Sequence, residues 1–520
     1  MVLRIGVAWL LVCALSACGG GGGGDAPRPG DPANQADGLG AAGHKPGTVE
    51  LGSAAFTGGS HAAIPQVAVA ISDLGQALAV WQVKAAQVAD DSMAWAQTSP
   101  GGVWSAAGSL PQASNAQSFY GLVLRMNSVG NAVLGWVSTD LTAPYTDQKF
   151  QAVRFIQGTG WEAQVNDVSG GSSAATYHHT SSWDLSILDD DALITSVRLP
   201  GTTGYTNAIL RVNEQGQKTI GFHGNNQNVL IYSPYAAFSP KLTNGYGLSY
   251  RLTDSAASPG QIDITAQLAS VYTGGFAPFP VATYRSVCYT EAYDSPLVAA
   301  VTQQAEGVLA VVTGEVVGGV SSCSSTHELR VHRVYTQSSI MVTSTRLNGA
   351  SSFLPVAPVV VVDQAGNALA VWKETTGSQP FGYGADTTRL MWSRSLHGDA
   401  WTTPAPLIAN LSELGVVPRE GHIALAMNPN GEAVLSVKLH GLSGHSLNQS
   451  IVVGRFSFGG GWSSWSAVAN KAWMSEPQVA INASGKAVLV YTAWALDRIG
   501  GRAPTVLYGE PQIKAYALSL

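Results

Sequence analysis

Several groups of side chains in this 520-residue chain have the types that chemistry needs, and spacing argues against each of them. His327-Glu328 followed by His332 resembles a zinc-binding helix at first sight. A helix, however, needs its second histidine four residues after the first to share a face, and that position is Val331. The segment reads instead as a strand. His178 and His179, near Asp184, could aim both imidazoles at one ion only from an irregular loop, because neighbours on a strand face opposite ways. Asp189-Asp190-Asp191 offers oxygens to Ca²⁺ without the D-x-D-x-D-G spacing, so a polar hairpin turn is the simpler reading. Glu291, Asp294 and Glu315, in a less regular region, could supply the paired carboxylates of a glycosidase in a central funnel, and sequence alone does not show that they converge. There is no G-x-S-x-G elbow, and Ser72-Asp73-Leu74-Gly75 misses the spacing of a sialidase Asp-box. The residues therefore point to no catalytic group, no metal ligand and no cofactor.

The elements that would have to position any site are repeats. Pro65-Gln66-Val67-Ala68 leads to Asp73-Leu74-Gly75-Gln76-Ala77-Leu78-Ala79-Val80-Trp81, and Pro358-Val359-Val360-Val361 leads to Asp363-Gln364-Ala365-Gly366-Asn367-Ala368-Leu369-Ala370-Val371-Trp372. An apolar run, an Asp/Asn/Gly turn and a second apolar run ending in an aromatic make a β-hairpin. Clear copies carry turns near residues 130, 431 and 485. Looser ones lie at 234–250 and 296–312, and the weakest at 185–197, where the three aspartates replace the glycine turn. Eight copies recur every 55–65 residues or so. Asp73, Asp363, Asn428 and Asn482 beside the turns are read as hydrogen-bonding the turn backbone.

A second landmark follows several hairpins: Trp95 with Trp104, Trp161, Trp392 with Trp401, and Trp462. Each unit thus reads as four strands. The tryptophans could form a carbohydrate-stacking platform, but their fixed register favours packing between units. In Ala77 to Trp81 both alternating faces are apolar, as they must be in a sheet covered on both sides. The expected fold is an all-β β-propeller of about eight four-stranded blades, or seven if 183–250 holds one irregular blade. Strands from both termini are expected to share the last blade, with 49–56 completing it and so removing an exposed edge. This repeat resembles those of secreted and lipid-anchored bacterial propeller proteins over most of residues 48–520, and the resemblance is one of fold.

Charged residues make up only 12% of the chain, and the net charge is −6 with no basic stripe, which argues against a nucleic-acid partner. The first residues carry one positive charge, Arg4, before an apolar run from Ile5 to Leu15 that is too short to span a bilayer. It ends Leu15-Ser16-Ala17-Cys18, which resembles the lipobox of bacterial lipoproteins. That resemblance implies cleavage of a signal peptide at 1–17 and acylation of Cys18. Gly19 in place of aspartate implies, for a Gram-negative host, an outer-membrane address in the cell envelope. Residues 18–47 are Gly/Pro-rich and read as a disordered tether with a reach of roughly 30 Å, leaving 48–520 for the folded domain.

With Cys18 acylated, Cys288 and Cys323 remain as one pair. An oxidising envelope favours a disulfide between them, adding roughly 3–4 kcal/mol; two unpaired buried thiols are the alternative, and a two-cysteine metal site lacks a CxxC partner. Three roles fit this whole. The first is a membrane-anchored, non-catalytic binding or scaffold module for a protein or glycan, similar in general plan to the lipid-anchored propeller of the outer-membrane β-barrel assembly machinery. The second is an envelope polysaccharide hydrolase or lyase with its site in the central funnel, and the third a structural surface protein.

Overall fold

The computed structural model of the protein describes residues 43–53, 65–83, 91–99, 101–110, 117–140, 148–167, 185–187, 191, 193–201, 204–213, 218–224, 235–238, 246–254, 262–270, 274–275, 279–284, 297–301, 307–313, 328–336, 340–348, 353–376, 388–408, 423–440, 449–474, 477–494 and 512–518. Every regular element among them is a strand, and every strand pair is antiparallel. All eight repeat copies are hairpins. They pair Val67–Ile71 with Ala77–Val83, Gln117–Met126 with Ala132–Asp140, Leu185–Ile187 with Leu193–Gly201, and Tyr235–Phe238 with Tyr246–Asp254. The remaining four pair Leu297–Val301 with Gly307–Thr313, Phe353–Val362 with Ala368–Thr376, Ile423–Met427 with Glu432–His440, and Gln478–Ile481 with Ala487–Trp494.

Most hairpins gain a third and fourth strand to form sheets of four or five strands. The last two hairpins share one nine-stranded sheet, joined where Trp473 and Met474 pair with Trp494 and Ala493. The final hairpin takes Gln512–Leu518 as its next strand and then Val49–Ser53, with Val49 opposite Ala515 and Ser53 opposite Gln512. Strands from the two ends of the described chain therefore lie side by side in one sheet, within the 49–56 segment that the sequence assigned to that place. Pairing begins earlier still, inside the stretch read as tether. His44 bridges Ala469, the Lys45 amide donates to the Val468 carbonyl at 2.8 Å, and the Lys45 ammonium lies 5.3 Å from the Tyr516 ring centroid.

The turns explain why these hairpins form. The residues Ser72, Asn127, Asp363, Asn428 and Asn482 each accept, through a side-chain oxygen, the backbone N–H four residues on, at 2.8–3.2 Å. A glycine three residues after each takes positive φ, from 80° to 97°, which costs a residue with a Cβ more than it costs glycine. In the weakest copy Asp191 adopts φ 59° instead, a conformation that aspartate tolerates. At Gly431 the constraint is steric as well: a Cβ there would sit 2.7 Å from Asp363 Oδ2 and 2.8 Å from the Phe458 ring.

Sheets pack face to face in chain order. Gln478–Ile481 packs on Val67–Ile71, which packs on Gln117–Met126, and that strand packs on Leu185–Ile187. The run Tyr235–Phe238, Leu297–Val301, Phe353–Val362, Ile423–Met427 and back to Gln478–Ile481 continues the pattern. The sequence reading of two apolar faces is met in the first hairpin. Ala77, Ala79 and Trp81 join a core with Val488, Val490, Ile513 and Ala515 of the last sheet, while Leu78 and Val80 join one with Leu134, Trp136 and Phe155 of the second. Trp81, Trp136 and Trp372 are fully buried between sheets.

Candidate functional site

An antiparallel meander puts its first-to-second and third-to-fourth turns at one end and all other connections at the opposite end. The first-to-second turns are short, mostly five residues: 72–76, 127–131, 363–367 and 482–486. At the other end, second and third strands are joined through 84–91, 141–147, 255–261, 314–327, 377–387, 441–448 and 495–511, the third sheet alone using two residues, 202–203. Connections between sheets add 54–66, 168–184, 285–296 and 409–422 there. Chain length is thus concentrated at one end of the molecule.

The short-turn end is closed by hydrogen bonds between neighbouring units. The Asn482 amide donates to the Ser72 carbonyl at 3.0 Å, Asn428 donates to the Asn482 carbonyl at 3.1 Å, and Asp73 Oδ1 accepts the Ala483 N–H at 3.2 Å. Asp191 Oδ1 accepts from both Asn127 and Asn131, at 3.0 and 2.7 Å. The sequence reading of the turn residues holds for Asp363, Asn428 and Asn482. In the first hairpin Ser72 is the turn acceptor, and Asp73 bonds across to the neighbouring unit.

Third strands reinforce this end with arginines at one register position, opposite the residue that follows the first residue of the second strand. Arg154 pairs with Val133, Arg211 with Ile194, Arg333 with Val308, and Arg394 with Leu369; Arg455 pairs with Val434 in the equivalent place. Four of these side chains reach carbonyls of the next unit: Arg154 that of Asp191 at 3.2 Å, Arg333 that of Ser395 at 3.0 Å, Arg394 that of Phe458, and Arg455 those of Gly485 and Leu518 at 3.2 and 2.6 Å. Burial lowers the pKa of Arg455, and the nearby Glu432 carboxylate opposes that shift. Sequence reading missed these residues, although a signal exists: Arg154, Arg394 and Arg455 each stand seven residues before a landmark tryptophan, as Gln97 does before Trp104.

The long-connection end carries a different polar set at the strand ends. Glu374, 2% exposed, accepts the Trp372 indole N–H at 3.0 Å and two bonds from Arg389 at 2.8 and 2.6 Å. Gln66 Oε1 accepts the Leu122 N–H at 3.1 Å, the Thr492 hydroxyl donates to the Pro65 carbonyl at 3.5 Å, and the Lys438 ammonium to that of Met474 at 3.5 Å. The Gln66 and Thr492 bonds join neighbouring sheets, whereas Glu374 with Arg389 and Lys438 with Met474 tie strands within one sheet.

Glu328 and His332 lie on the strand Glu328–Thr336, in agreement with the strand reading. Glu328 accepts ion pairs from Arg330 and Arg346, each at 2.9 Å, so its carboxylate is engaged by guanidinium groups. Burial, and then the Arg330 charge, push the fully buried His332 imidazole down to about 4. The unfolded chain, with an ordinary histidine near 6.5, binds the extra proton first as pH falls. His332 therefore contributes stability that is intact above pH 6.5 and is lost progressively toward pH 4, in all about 3 kcal/mol. Chemical denaturation of wild type and His332→Gln across that window should show a steeper acid loss in wild type; equal slopes would contradict the assignment.

Cys18, Cys288, Cys323, His178, His179, Asp184, Asp189, Asp190, Glu291, Asp294, Glu315 and His327 lie outside the described residues. Among the described residues no group of three His, Cys, Asp or Glu side chains is placed to hold a metal ion, and no helix is long and apolar enough to cross a membrane. The landmark tryptophans pack between sheets. Trp95, Phe155 and Trp161 meet edge to face, as do Trp392, Phe456 and Phe458, while Trp462 joins the second group and stacks on Trp465.

No family model matches the chain, and no curated protein matches it. Solved structures similar in strand architecture include the polysaccharide lyase Uly1, at 10% identity and a TM-score of 0.39, covering 87% of this chain and 90% of that one. An ulvan lyase bound to -[GlcA(1-4)Rha3S]- aligns at 10% identity and a TM-score of 0.41, over 75% of this chain and 92% of its own. The α-L-arabinofuranosidase of Fusarium graminearum, in complex with arabinobiose, aligns at 11% identity and a TM-score of 0.34, over 64% and 91%.

Proposed function

We propose that this protein is a lipid-anchored cell-envelope β-propeller of eight blades, acting as a non-catalytic binding or scaffold module for a protein or glycan. The binding reading rests on one observation, the greater length of connecting chain at one end of a stack of sheets whose other end carries the five-residue hairpin turns and the bonds between them. A rigid scaffold with varied loops at one end is the usual way a repeat fold presents a recognition surface. Sheets in contact in chain order, the third and fourth through Lys218–Gly224 and Ile262–Ser270, with the last sheet against the first and strands from both ends of the described chain in one sheet, support the closed ring. The polar side chains described near the binding end are engaged in bonds within and between sheets, which favours a frame over a reaction centre.

The anchor reading rests on Leu15-Ser16-Ala17-Cys18, and the outer-membrane address on Gly19. A Cys288–Cys323 disulfide would cross-link the long connection entering the fifth hairpin with the one leaving it. Cys18→Ser should release a folded protein from membranes. The released protein, screened on an envelope glycan array and recovered from crosslinked envelopes, should retain a specific glycan or protein without altering it. Shortened or unsaturated sugar products would replace this reading with a polysaccharide hydrolase or lyase, and recovery of no specific partner would remove the binding reading.

A further inference from the structure

We infer that the strand Ile340–Arg346 is a self-association edge, pairing two copies of this chain antiparallel about Thr343. Among the described residues the other outer edges are blunted in the ways that prevent pairing, Phe279–Tyr284 by Pro280 and a register shift. Gly108–Ser109, Asn166–Asp167 and Gly274–Gly275 are two residues long. Ala405–Ile408 contains Pro406 and a register shift, Lys218–Gly224 faces a shift and carries a lysine, and Val49–Ser53 is interrupted between Glu50 and Gly52. Ile340–Arg346 has none of these devices. It runs seven residues in unbroken register with Glu328–Thr336, contains no proline, glycine or lysine, and ends its sheet. Met341 is 50% exposed, and Thr343, Ser344 and Arg346 are exposed as well.

The geometry selects a second copy as the occupant. Leu347 donates to the Leu329 carbonyl at 2.8 Å, so by alternation Ile340, Val342, Ser344 and Arg346 turn their backbone N–H and C=O groups outward. An antiparallel pairing centred on Thr343 sets Val342 against Ser344 and Ile340 against Arg346 of the second copy. Every outward group then meets an outward group, giving about eight backbone hydrogen bonds. The one charge on the strand, Arg346, falls at opposite ends of the joint, where each is already paired with its own Glu328. Thr343 meets Thr343 in the close, non-hydrogen-bonded position, a favourable cross-strand pair.

Sedimentation velocity on the chain carrying Cys18→Ser tests this without the lipid. The expected result is a dimer. Thr343→Lys and Thr343→Glu should each weaken it roughly fivefold to tenfold by setting like charges face to face, and an equimolar mixture of the two should restore it. Ser344→Pro removes an outward N–H and no bond of the sheet itself, so it should give a monomer with unchanged circular dichroism. A monomeric wild type, a dimer that persists undiminished in Thr343→Lys, or a mixture that stays monomeric would each overturn the pairing. Failure here leaves the binding reading of the long connections standing, because the pairing uses a strand edge and not those connections.

Discussion

Deleting residues 43–53 should destabilise the protein more than any other change of similar size. The segment supplies the strand Val49–Ser53, and with it the edge partner of Gln512–Leu518. It also brings buried Leu51, the Glu50–Lys514 ion pair at 2.7 Å, and the Ser53 carbonyl that accepts the Trp81 indole N–H at 3.4 Å. His44 Nδ1 meets the buried Tyr491 hydroxyl at 2.9 Å. Burial raises the Tyr491 pKa, and burial followed by the Lys514 charge lowers that of His44, so both are neutral partners at neutral pH. Several backbone hydrogen bonds at about 1 kcal/mol each, plus about 2 kcal/mol for Leu51, amount to roughly 5–8 kcal/mol. That is a large part of the 5–15 kcal/mol or so available to a folded domain. The expected outcome is a strongly lowered melting temperature and aggregation through the bared edge, followed by light scattering during a thermal melt. A soluble deletion variant melting like wild type would show that the terminal strands do not hold the fold together.

Trp372→Ala should cost about 3–5 kcal/mol. Trp372 is completely buried in the core shared by the fifth and sixth hairpins, against Leu329, Val331 and Ala370. The cavity would open beside Glu374, which would also lose its indole donor while keeping Arg389. Trp372→Phe keeps most of the volume and should cost roughly 1–2 kcal/mol, chiefly the lost hydrogen bond and some packing. Urea unfolding of the two variants separates these terms. Equal, small losses for both would mean that the aromatic position is not the inter-sheet anchor that its burial indicates.

The hairpins were legible in the sequence because turn chemistry is local. An oxygen-bearing side chain, two further residues and a glycine specify a bulged turn wherever they fall, and Asp191 shows that aspartate in the same conformation can take the glycine's place. The packing role of Trp81, Trp136 and Trp372 was legible for a similar reason, since both faces of their strands are apolar. The staples were harder to read. Arg154, Arg333, Arg394 and Arg455 act on carbonyls of the next sheet, contacts that no sequence window contains. The same holds for Asp73, whose partner Ala483 is 410 residues away. The docked segment at His44 and Lys45 was hidden by composition. Its pairing uses backbone groups, which a Gly/Pro-rich reading does not count. Within the candidate site the connections could be placed between repeats from sequence, but their gathering at one end follows from strand direction.

The proposed recognition surface is the set of long connections at one end of the stacked sheets. It is tested most directly by replacing 377–387 and 441–448 with short glycine–serine links and measuring the binding of the partner recovered from crosslinked envelopes, beside a control with substitutions at Leu74 and Val129 on the short-turn end, both exposed. The account predicts that the replacements abolish binding while circular dichroism and melting stay close to wild type, and that the control binds normally. Undiminished binding by the replaced protein, with loss in the control, would contradict it.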